Sequence, residues 1–213
     1  MIKAILFDVD GVLIDSFEAN LRFFQDLMNK VGYPPPTRDQ FHDIFAMNLV
    51  DAIKTLTKSN SEEEIQRIWH TGKNREVNYH TELINIPNEL EIALKQLSKD
   101  FLLGIVTSRV RENIYEAPSL KELKHYFKIA VGYQDTNNHK PDPDPLLFAA
   151  KKLKIKPEEC IYIGDTSNDL QAGHAANMKV IIYPNNKNLP ADAHAASFTE
   201  LPTLISSLNK ETR

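Results

Sequence analysis

Two short apolar segments of the chain end abruptly in carboxylates, and this pattern restricts the fold more than any other feature of the sequence. The first segment, residues 2–7, is followed by Asp8-Val9-Asp10-Gly11. The second, residues 160–163, is followed by Gly164-Asp165 and then Asp169. Both segments are too short for independent helices and are typical of buried β-strands. Strands that each carry carboxylates at their carboxyl ends, in a chain that alternates strands and helices, are expected to meet at one crevice of a doubly wound sheet.

The residues after the first strand have more than one interpretation. Side chains alternate along an extended chain, so Asp8 and Asp10 are expected to project the same way and to meet one cation or one substrate. Gly11 allows the backbone to turn away at once. Taken alone, Asp-x-Asp-Gly is equally typical of a polar turn after a strand. A calcium-binding loop is disfavoured, because apolar residues 12–14 stand where such a loop needs further oxygen ligands.

The chain after residue 15 divides into a helical part and an alternating part. From residue 16 to 84 the pattern is helical throughout, with Gly32 ending the first helix and Thr37 and Gln40 forming a capping box before the next. The later part predicts strands at 101–106, 129–133, 160–163 and 180–183, and helices at 90–97, 110–125, 145–153, 170–176 and 200–208. We therefore expect a discontinuous core, residues 1–15 and 85–213, interrupted by a helical domain at 16–84.

The composition is that of an ordinary globular protein of 213 residues, with 42% hydrophobic and 25% charged residues. A net charge of −4 argues against a nucleic-acid or anionic-membrane surface. A single cysteine cannot form an internal disulfide, and the N-terminus has no signal-peptide character. We expect a cytoplasmic protein with no nucleic-acid or membrane partner, as a monomer or weak dimer.

Four motifs together resemble those of one family. They are Asp8-Val9-Asp10-Gly11-Val12 with Asp15-Ser16, Thr107-Ser108, Lys140-Pro141, and Gly164-Asp165 with Asp169. In this order and over most of the chain, they resemble the haloacid dehalogenase superfamily of phosphohydrolases, in the branch of phosphoglycolate phosphatase and β-phosphoglucomutase. The resemblance implies a three-layer, Rossmann-like α/β core with a parallel sheet and an inserted helical cap domain.

The resemblance also implies roles for the carboxylates. Asp8 would be the nucleophile that forms an aspartyl-phosphate, and Asp10 the general acid and base. Mg²⁺ would be held by Asp8, the backbone carbonyl of Asp10, and Asp165. Asp169 would bind the metal directly or through water. Hard oxygen ligands are those that Mg²⁺ prefers.

The remaining site residues would hold the phosphate. Thr107 and Lys140 are predicted to be catalytic, through a hydroxyl donor and a compact cation. The backbone N–H groups after Thr107 are expected at a helix start, which suits phosphate oxygens. Other predicted substrate contacts are Gly11, Ser108, Arg109 and Asn20. Taken singly, Thr107 is also typical of a helix cap and Lys140 of an exposed lysine; only their joint occurrence with the carboxylates favours a site.

The predicted function is a Mg²⁺-dependent phosphatase acting on a small phosphorylated metabolite, with phosphoglycolate as the leading candidate. A β-phosphoglucomutase-like mutase is the first alternative, disfavoured because Asn20 stands where the resemblance implies a histidine. A non-catalytic regulatory protein on the same scaffold is the second. The cap is expected to set specificity, although residues 41–54 lack the Gly and Arg implied for its specificity loop.

Overall fold

The computed structural model describes residues 1–45, 47–186 and 188–211. The chain forms two compact units. One consists of Met1–Asp15 together with Asn85–Arg213, and the other of Ser16–Ile84. The first is an α/β unit and the second is helical, so the helical unit is inserted into the α/β unit directly after its first strand and loop.

The α/β unit is built on a parallel sheet. Its strands are β1 (Ala4–Phe7), β2 (Leu102–Val106), β3 (Phe127–Val131), β4 (Cys160–Gly164), β5 (Lys179–Ile182) and β6 (Ala193–His194). They lie in the order β3-β2-β1-β4-β5-β6, and all pairings are parallel. The chain extends the sheet from β1 to β2 and β3, and then returns to the other side of β1 as β4. The carboxyl end of β1 therefore lies at the point where strand order reverses, which is where open α/β sheets bind ligands.

Helices cover both faces of this sheet. They are α5 (Leu90–Leu97), α6 (Pro118–Glu122), α7 (Asp144–Leu153), α8 (Ser167–Ala175) and α9 (Leu201–Glu211). Ala4 and Leu6 of β1 join a buried cluster with residues of α7 and α8. Phe7, on the opposite face, stacks on Phe198 just before α9, with ring centroids 6.5 Å apart. The predicted three-layer, Rossmann-like α/β fold is confirmed.

The helical unit contains four helices and a short 3₁₀ turn among its described residues. They are α1 (Phe17–Val31), α2 (Arg38–Ile44), α3 (Leu49–Thr57), α4 (Glu62–Lys73) and the turn Thr81–Leu83. Gly32 ends α1 with a φ of +88°, and the predicted capping box of Thr37 and Gln40 is present. Residues 41–54, apart from residue 46, which lies outside the described ranges, belong to α2, to α3 and to their short connection. No described helix is both long and apolar enough to cross a membrane.

Two predicted elements of the α/β unit differ from the structure, and one observed strand was not predicted. The helix expected at 110–125 is instead a 3₁₀ turn at Arg111–Asn113, the short α6, and a second 3₁₀ turn. Ala117 is extended, as residues before proline tend to be, and this divides the segment. The strand expected at 129–133 begins and ends two residues earlier, because Gly132 turns the chain into a 3₁₀ turn. The two-residue β6 is too short to produce a sequence pattern.

Candidate active site

Asp8 lies inside the molecule at the carboxyl end of β1, where its residue exposure is 7%. Its backbone N–H donates to the carbonyl of Ile163 (2.9 Å), which continues the pairing of β1 with β4. Gly11 has a φ of +77°, and a Cβ at this position would lie 2.1 Å from Asp165 Oδ2. A glycine is therefore required for the loop after β1 to approach the end of β4.

The carboxyl end of β4 supplies Asp165 and Asp169. Thr166 is the N-cap of α8, and its hydroxyl accepts a hydrogen bond from the backbone N–H of Asp169 (3.2 Å). Asp169 Oδ2 in turn accepts from the N–H of Asp165 (3.2 Å) and from the N–H and hydroxyl of Thr166 (3.1 and 2.6 Å). A Cβ on Gly164 would lie 2.3 Å from Asp169 Cβ, so Gly164 admits this fully buried side chain.

Lys140 lies among these carboxylates. Its Nζ donates to Asp169 Oδ1 (2.6 Å) and to the Tyr162 hydroxyl (2.9 Å), and it forms an ion pair with Asp8 Oδ2 (3.1 Å). The three partners match the three N–H groups of an ammonium. Because the side chain is 5% exposed, Lys140 is not an exposed lysine but a buried cation paired with carboxylates.

Tyr162 belongs to the same group of side chains, although the sequence analysis did not select it. It is fully buried in β4, and its hydroxyl lies 2.9 Å from Asp169 Oδ1 and 3.1 Å from the carbonyl oxygen of Val106. A buried tyrosine needs a hydrogen-bond partner for its hydroxyl. A tyrosine within an apolar strand, two residues before Gly164, is the sequence signal that points to it.

Lys140 does not fully balance the carboxylates of the group. Asp8 Oδ1 and Asp165 Oδ1 are buried and have no hydrogen-bond partner among the described residues. Burial raises the pKa of Asp8 to about 7, with the charge of Lys140 opposing the shift and those of Asp169 and Asp10 adding to it. Burial and the charges of Asp8 and Asp169 raise the pKa of Asp165 to about 9. Without a further positive charge, both groups would therefore hold protons near neutral pH.

Asp169 and Lys140 form the balanced part of the group. Burial acts to raise the pKa of Asp169, but the charge and hydrogen bond of Lys140, with hydrogen bonds from Thr166, lower it to about 2. Burial disfavours the charged form of Lys140, yet Asp169 and Asp8 together raise its pKa. These two residues are thus an ionised pair, and Asp8 and Asp165 are the carboxylates whose ionisation a further positive charge would favour.

A divalent metal ion fits this arrangement. Asp8, Asp165 and Asp169 each place a carboxylate oxygen within 4.8 Å of those of the other two. Unpartnered, buried carboxylate oxygens on Asp8 and Asp165 are suitable ligands for a hard cation, whose charge would also offset their repulsion. Asp169 is better suited to holding Lys140, because both its oxygens already accept hydrogen bonds.

The predicted phosphate-binding turn after β2 differs from expectation. Thr107 is 5% exposed; its N–H donates to the carbonyl of Val131 (3.0 Å), and its hydroxyl accepts from the N–H of Arg109 (3.3 Å). Ser108 is exposed. Among the described residues no α-helix begins directly after Thr107, and the loop continues to the 3₁₀ turn at Arg111–Asn113. The expectation of a helix start here is wrong, because the Thr107 hydroxyl rather than a helix organises the turn.

Asp10 has a different cation from Asp8. Arg109 Nε and Nη2 donate to Asp10 Oδ2 and Oδ1, both at 2.7 Å, and Arg109 Nη1 donates to the carbonyl of Asn113 (3.2 Å). Asp8 and Asp10 thus pair with different cations of the protein, Lys140 and Arg109, and their meeting at one metal ion or one substrate stays a prediction. Of the predicted contacts, Asn20 alone belongs to the helical unit. There its side chain bonds Ser16 and Tyr79.

Comparison with known families agrees with this geometry. The family described as haloacid dehalogenase-like hydrolase matches residues 5–183, which include all the carboxylates and cations described above. The chain belongs to this family. It is therefore a hydrolase, and the predicted enzyme class, a phosphatase of this superfamily, is confirmed. The family generally uses a divalent metal ion, and a cluster of Asp8, Asp165 and Asp169 is present in this chain.

This haloacid dehalogenase-like hydrolase is similar to several characterised or solved proteins. It is 28% identical to pyrophosphatase PpaX of Bacillus pumilus, over 84% of this chain and 81% of the relative. The crystal structure of a putative phosphoglycolate phosphatase from Lactobacillus plantarum matches with a TM-score of 0.85 and 24% identity, covering 96% of this chain and 99% of that one. A β-phosphoglucomutase structure from Clostridium difficile matches with a TM-score of 0.81 and 23% identity, covering 100% and 99%. The two structural likenesses show the shared fold.

Tyr162→Phe should lower kcat on an aryl phosphate about tenfold, because Lys140 loses the neutral partner that fixes its Nζ between Asp8 and Asp169. KM should change little. The matched control is Tyr33→Phe in the helical unit, which also removes a tyrosine hydrogen bond to a carboxylate, that of Glu64 (2.7 Å). Steady-state kinetics and thermal melting of both variants check this. Equal kcat losses in the two variants would show that Tyr162 contributes only stability.

Proposed function

We propose that the protein is a Mg²⁺-dependent phosphatase that hydrolyses a small phosphorylated metabolite through an aspartyl-phosphate on Asp8. The observation that carries the proposal is the pair of buried, unpartnered carboxylate oxygens on Asp8 and Asp165 beside the paired Lys140. A carboxylate attacks a phosphorus atom only when positive charge offsets the repulsion between two anions. Lys140 supplies part of that charge, and a bound divalent ion would supply the rest by electrostatic stabilisation of the phosphoryl group.

The side chains of the α/β unit divide the reaction between them. Asp8 attacks phosphorus as the bond to the leaving oxygen breaks, and Asp10 gives that oxygen a proton. In the second half, Asp10 takes a proton from the water that hydrolyses the aspartyl-phosphate, and Asp8 is regenerated. Lys140 keeps its position through Asp169 and Tyr162, so its charge remains directed at Asp8 throughout. Thr107, Ser108 and Gly11 are proposed to contact the phosphate.

Two substrates are favoured within this class. Phosphoglycolate follows from the resemblance of the sequence motifs, and inorganic pyrophosphate from relatives such as pyrophosphatase PpaX of Bacillus pumilus. The β-phosphoglucomutase alternative rests on a shared fold, and the asparagine at position 20 disfavours it. The helical unit is proposed to act as the cap that sets substrate preference, with Asn20 among its contributing residues.

A substrate panel with and without Mg²⁺ tests the proposal. Purified protein should hydrolyse an aryl phosphate, and should hydrolyse phosphoglycolate or pyrophosphate faster than hexose phosphates. Phosphate release and the sugar products should be measured in the same reactions, since a mutase would convert hexose phosphates without releasing phosphate. Failure to release phosphate from any substrate would overturn the proposed function, and sugar-phosphate isomerisation without hydrolysis would favour the mutase.

A further inference from the structure

We propose that Arg109 is the receptor for a second anionic group on the substrate, which displaces the carboxylate of Asp10 from the guanidinium. This inference rests on the proposed phosphatase activity and narrows its substrate class. The substrate would be a phosphate ester or phosphoanhydride whose leaving group carries a carboxylate or a phosphate. The shared chemistry is a planar or tetrahedral oxyanion that can accept two parallel N–H bonds.

The geometry of Arg109 already matches such an anion. Nε and Nη2 hold both oxygens of Asp10 at 2.7 Å, which is the bidentate arrangement that guanidinium groups form with carboxylates and phosphates. A further contact, from Nη1 to the carbonyl of Asn113, anchors the guanidinium to the backbone of its own loop. When the bidentate pair opens, this anchor keeps the two other N–H groups in place. The carboxylate of Asp10 thus occupies the position of a ligand oxyanion.

Lys140, the other cation of the site, is not suited to this role. It is held by Asp8, Asp169 and Tyr162, and its side chain is 5% exposed. A second anion at Lys140 would therefore have to displace a buried carboxylate. Arg109 and Asp10 are 11% and 28% exposed, so their pair reaches solvent. An oxyanion that enters here would replace the two hydrogen bonds to Asp10 with two of the same kind, so the exchange at Arg109 should cost less than at Lys140.

The exchange would also prepare the proposed acid step. The bidentate pair with Arg109 fixes the orientation of the Asp10 carboxyl group, which has to leave the pair to turn towards a leaving oxygen. A substrate that brings its own anion to Arg109 releases the carboxyl group of Asp10. A substrate with an uncharged leaving group leaves the pair closed. Arg109 would thus select substrates through the same contact that frees Asp10.

Matched substrates test the selection. Phosphoglycolate and 2-hydroxyethyl phosphate have similar size and similar leaving alcohols, but only the first has a second anion; pyrophosphate and acetyl phosphate form the corresponding pair of phosphoanhydrides. For at least one pair, kcat/KM of the wild type should favour the anionic member by about tenfold or more. Arg109→Gln should reduce that ratio to about twofold or less. Arg111→Gln is the matched control. Arg111 lies two residues after Arg109 and pairs with a different carboxylate, Asp135, so this variant should keep the wild-type ratio.

A binding measurement tests the same contact without turnover. By titration calorimetry at fixed free Mg²⁺, phosphonoacetate and methylenediphosphonate should bind the wild type more tightly than ethylphosphonate, and Arg109→Gln should remove the difference. Phosphonoacetate and methylenediphosphonate, which carry two anionic groups, are called the dianions below. Asp10→Asn should tighten binding of whichever dianion the wild type prefers, because the competing carboxylate is gone, and it should leave the affinity for ethylphosphonate unchanged. A purely structural role for Arg109 would affect all three ligands equally.

The outcomes separate the two proposals. If no phosphate ester is hydrolysed but the dianions still bind through Arg109, the proposed function is wrong and the proposed role of Arg109 as an anion receptor is supported. If esters are hydrolysed but Arg109→Gln keeps the wild-type preference, or lowers kcat/KM equally for all substrates, the proposed role of Arg109 is wrong and the proposed phosphatase activity is supported. Weaker dianion binding in Asp10→Asn would contradict the proposal that the substrate anion displaces the Asp10 carboxylate from Arg109. Preference for the carboxylate or the phosphate member identifies the anion that Arg109 receives.

Discussion

Asp8→Asn should lower kcat on an aryl phosphate by at least about 10³-fold while the fold is kept. The amide cannot form an aspartyl-phosphate, but its oxygen can still accept a hydrogen bond from Lys140. Metal-free stability should rise, because the substitution removes a buried carboxylate whose Oδ1 lacks a partner among the described residues and whose pKa burial raises to about 7. Steady-state kinetics and thermal melting in chelator measure the two effects.

The control for this variant is Asp10→Asn, which alters proton transfer and keeps the nucleophile. Its loss should be small for aryl phosphates and large for alkyl phosphates, because a good leaving group needs little protonation. Losses of equal size on both ester types would contradict the role of Asp10 as general acid. An Asp8→Asn enzyme that keeps more than about 1% of the wild-type kcat would show that another group attacks phosphorus.

Chelation should abolish activity, and Mg²⁺ should stabilise the protein more at pH 8 than at pH 5.5. The pKa values of Asp8 and Asp165 are raised to about 7 and about 9, from 3.8. Between about pH 4 and 9 the folded protein thus binds more protons than the unfolded chain, and metal-free stability falls as pH rises. A cation that replaces these protons has less competition at pH 8 than at pH 5.5.

Melting temperatures with Mg²⁺ and with chelator at the two pH values measure this effect independently of activity. A Mg²⁺ concentration about a hundred times its Kd should add roughly 2.7 kcal/mol, or about 5 to 11 °C for a chain of this size. Asp165→Asn should remove most of the shift, and Ca²⁺ should stabilise without supporting comparable turnover, because its looser coordination does not fix in-line geometry. An equal shift at both pH values, or none at pH 8, would contradict a metal bound by Asp8 and Asp165.

The sequence predicts the strands that carry the carboxylates because their patterns are local. β1 and β4 are short apolar runs that end at Asp8 and before Asp165, and the sheet that joins them follows from alternation along the chain. The segment 110–125 is different, because Pro118 interrupts an otherwise helical pattern. The free-energy cost of a proline inside a helix decides between one continuous helix and several shorter turns. The two-residue β6 depends on pairing with β5, which no local pattern records.

The sequence predicts which residues belong to the candidate site, but it does not predict which of them pair with one another. Asp8, Lys140 and Asp169 could be chosen from the sequence, since their motifs stand in the order that the resemblance implies. Tyr162 was missed because a tyrosine in an apolar strand is usually core packing, and only its hydroxyl contacts reveal another use. The pairing of Arg109 with Asp10 is set by the loop after β2, whose conformation depends on the hydroxyl of Thr107 and on contacts distant in sequence.

The position of β1 also determines the order in which this protein can assemble. Ala4 is made before its partners on either side, Leu102 and Cys160. The central strand must therefore wait, unpaired, until the whole helical insertion and β2 have left the ribosome, and its other edge stays open until β4 follows. Because that insertion is continuous in sequence and has its own buried clusters, it can collapse first and shorten the effective loop that β1 has to close. Asp8 is thus synthesised well before Asp165 and Asp169, the residues that complete its surroundings.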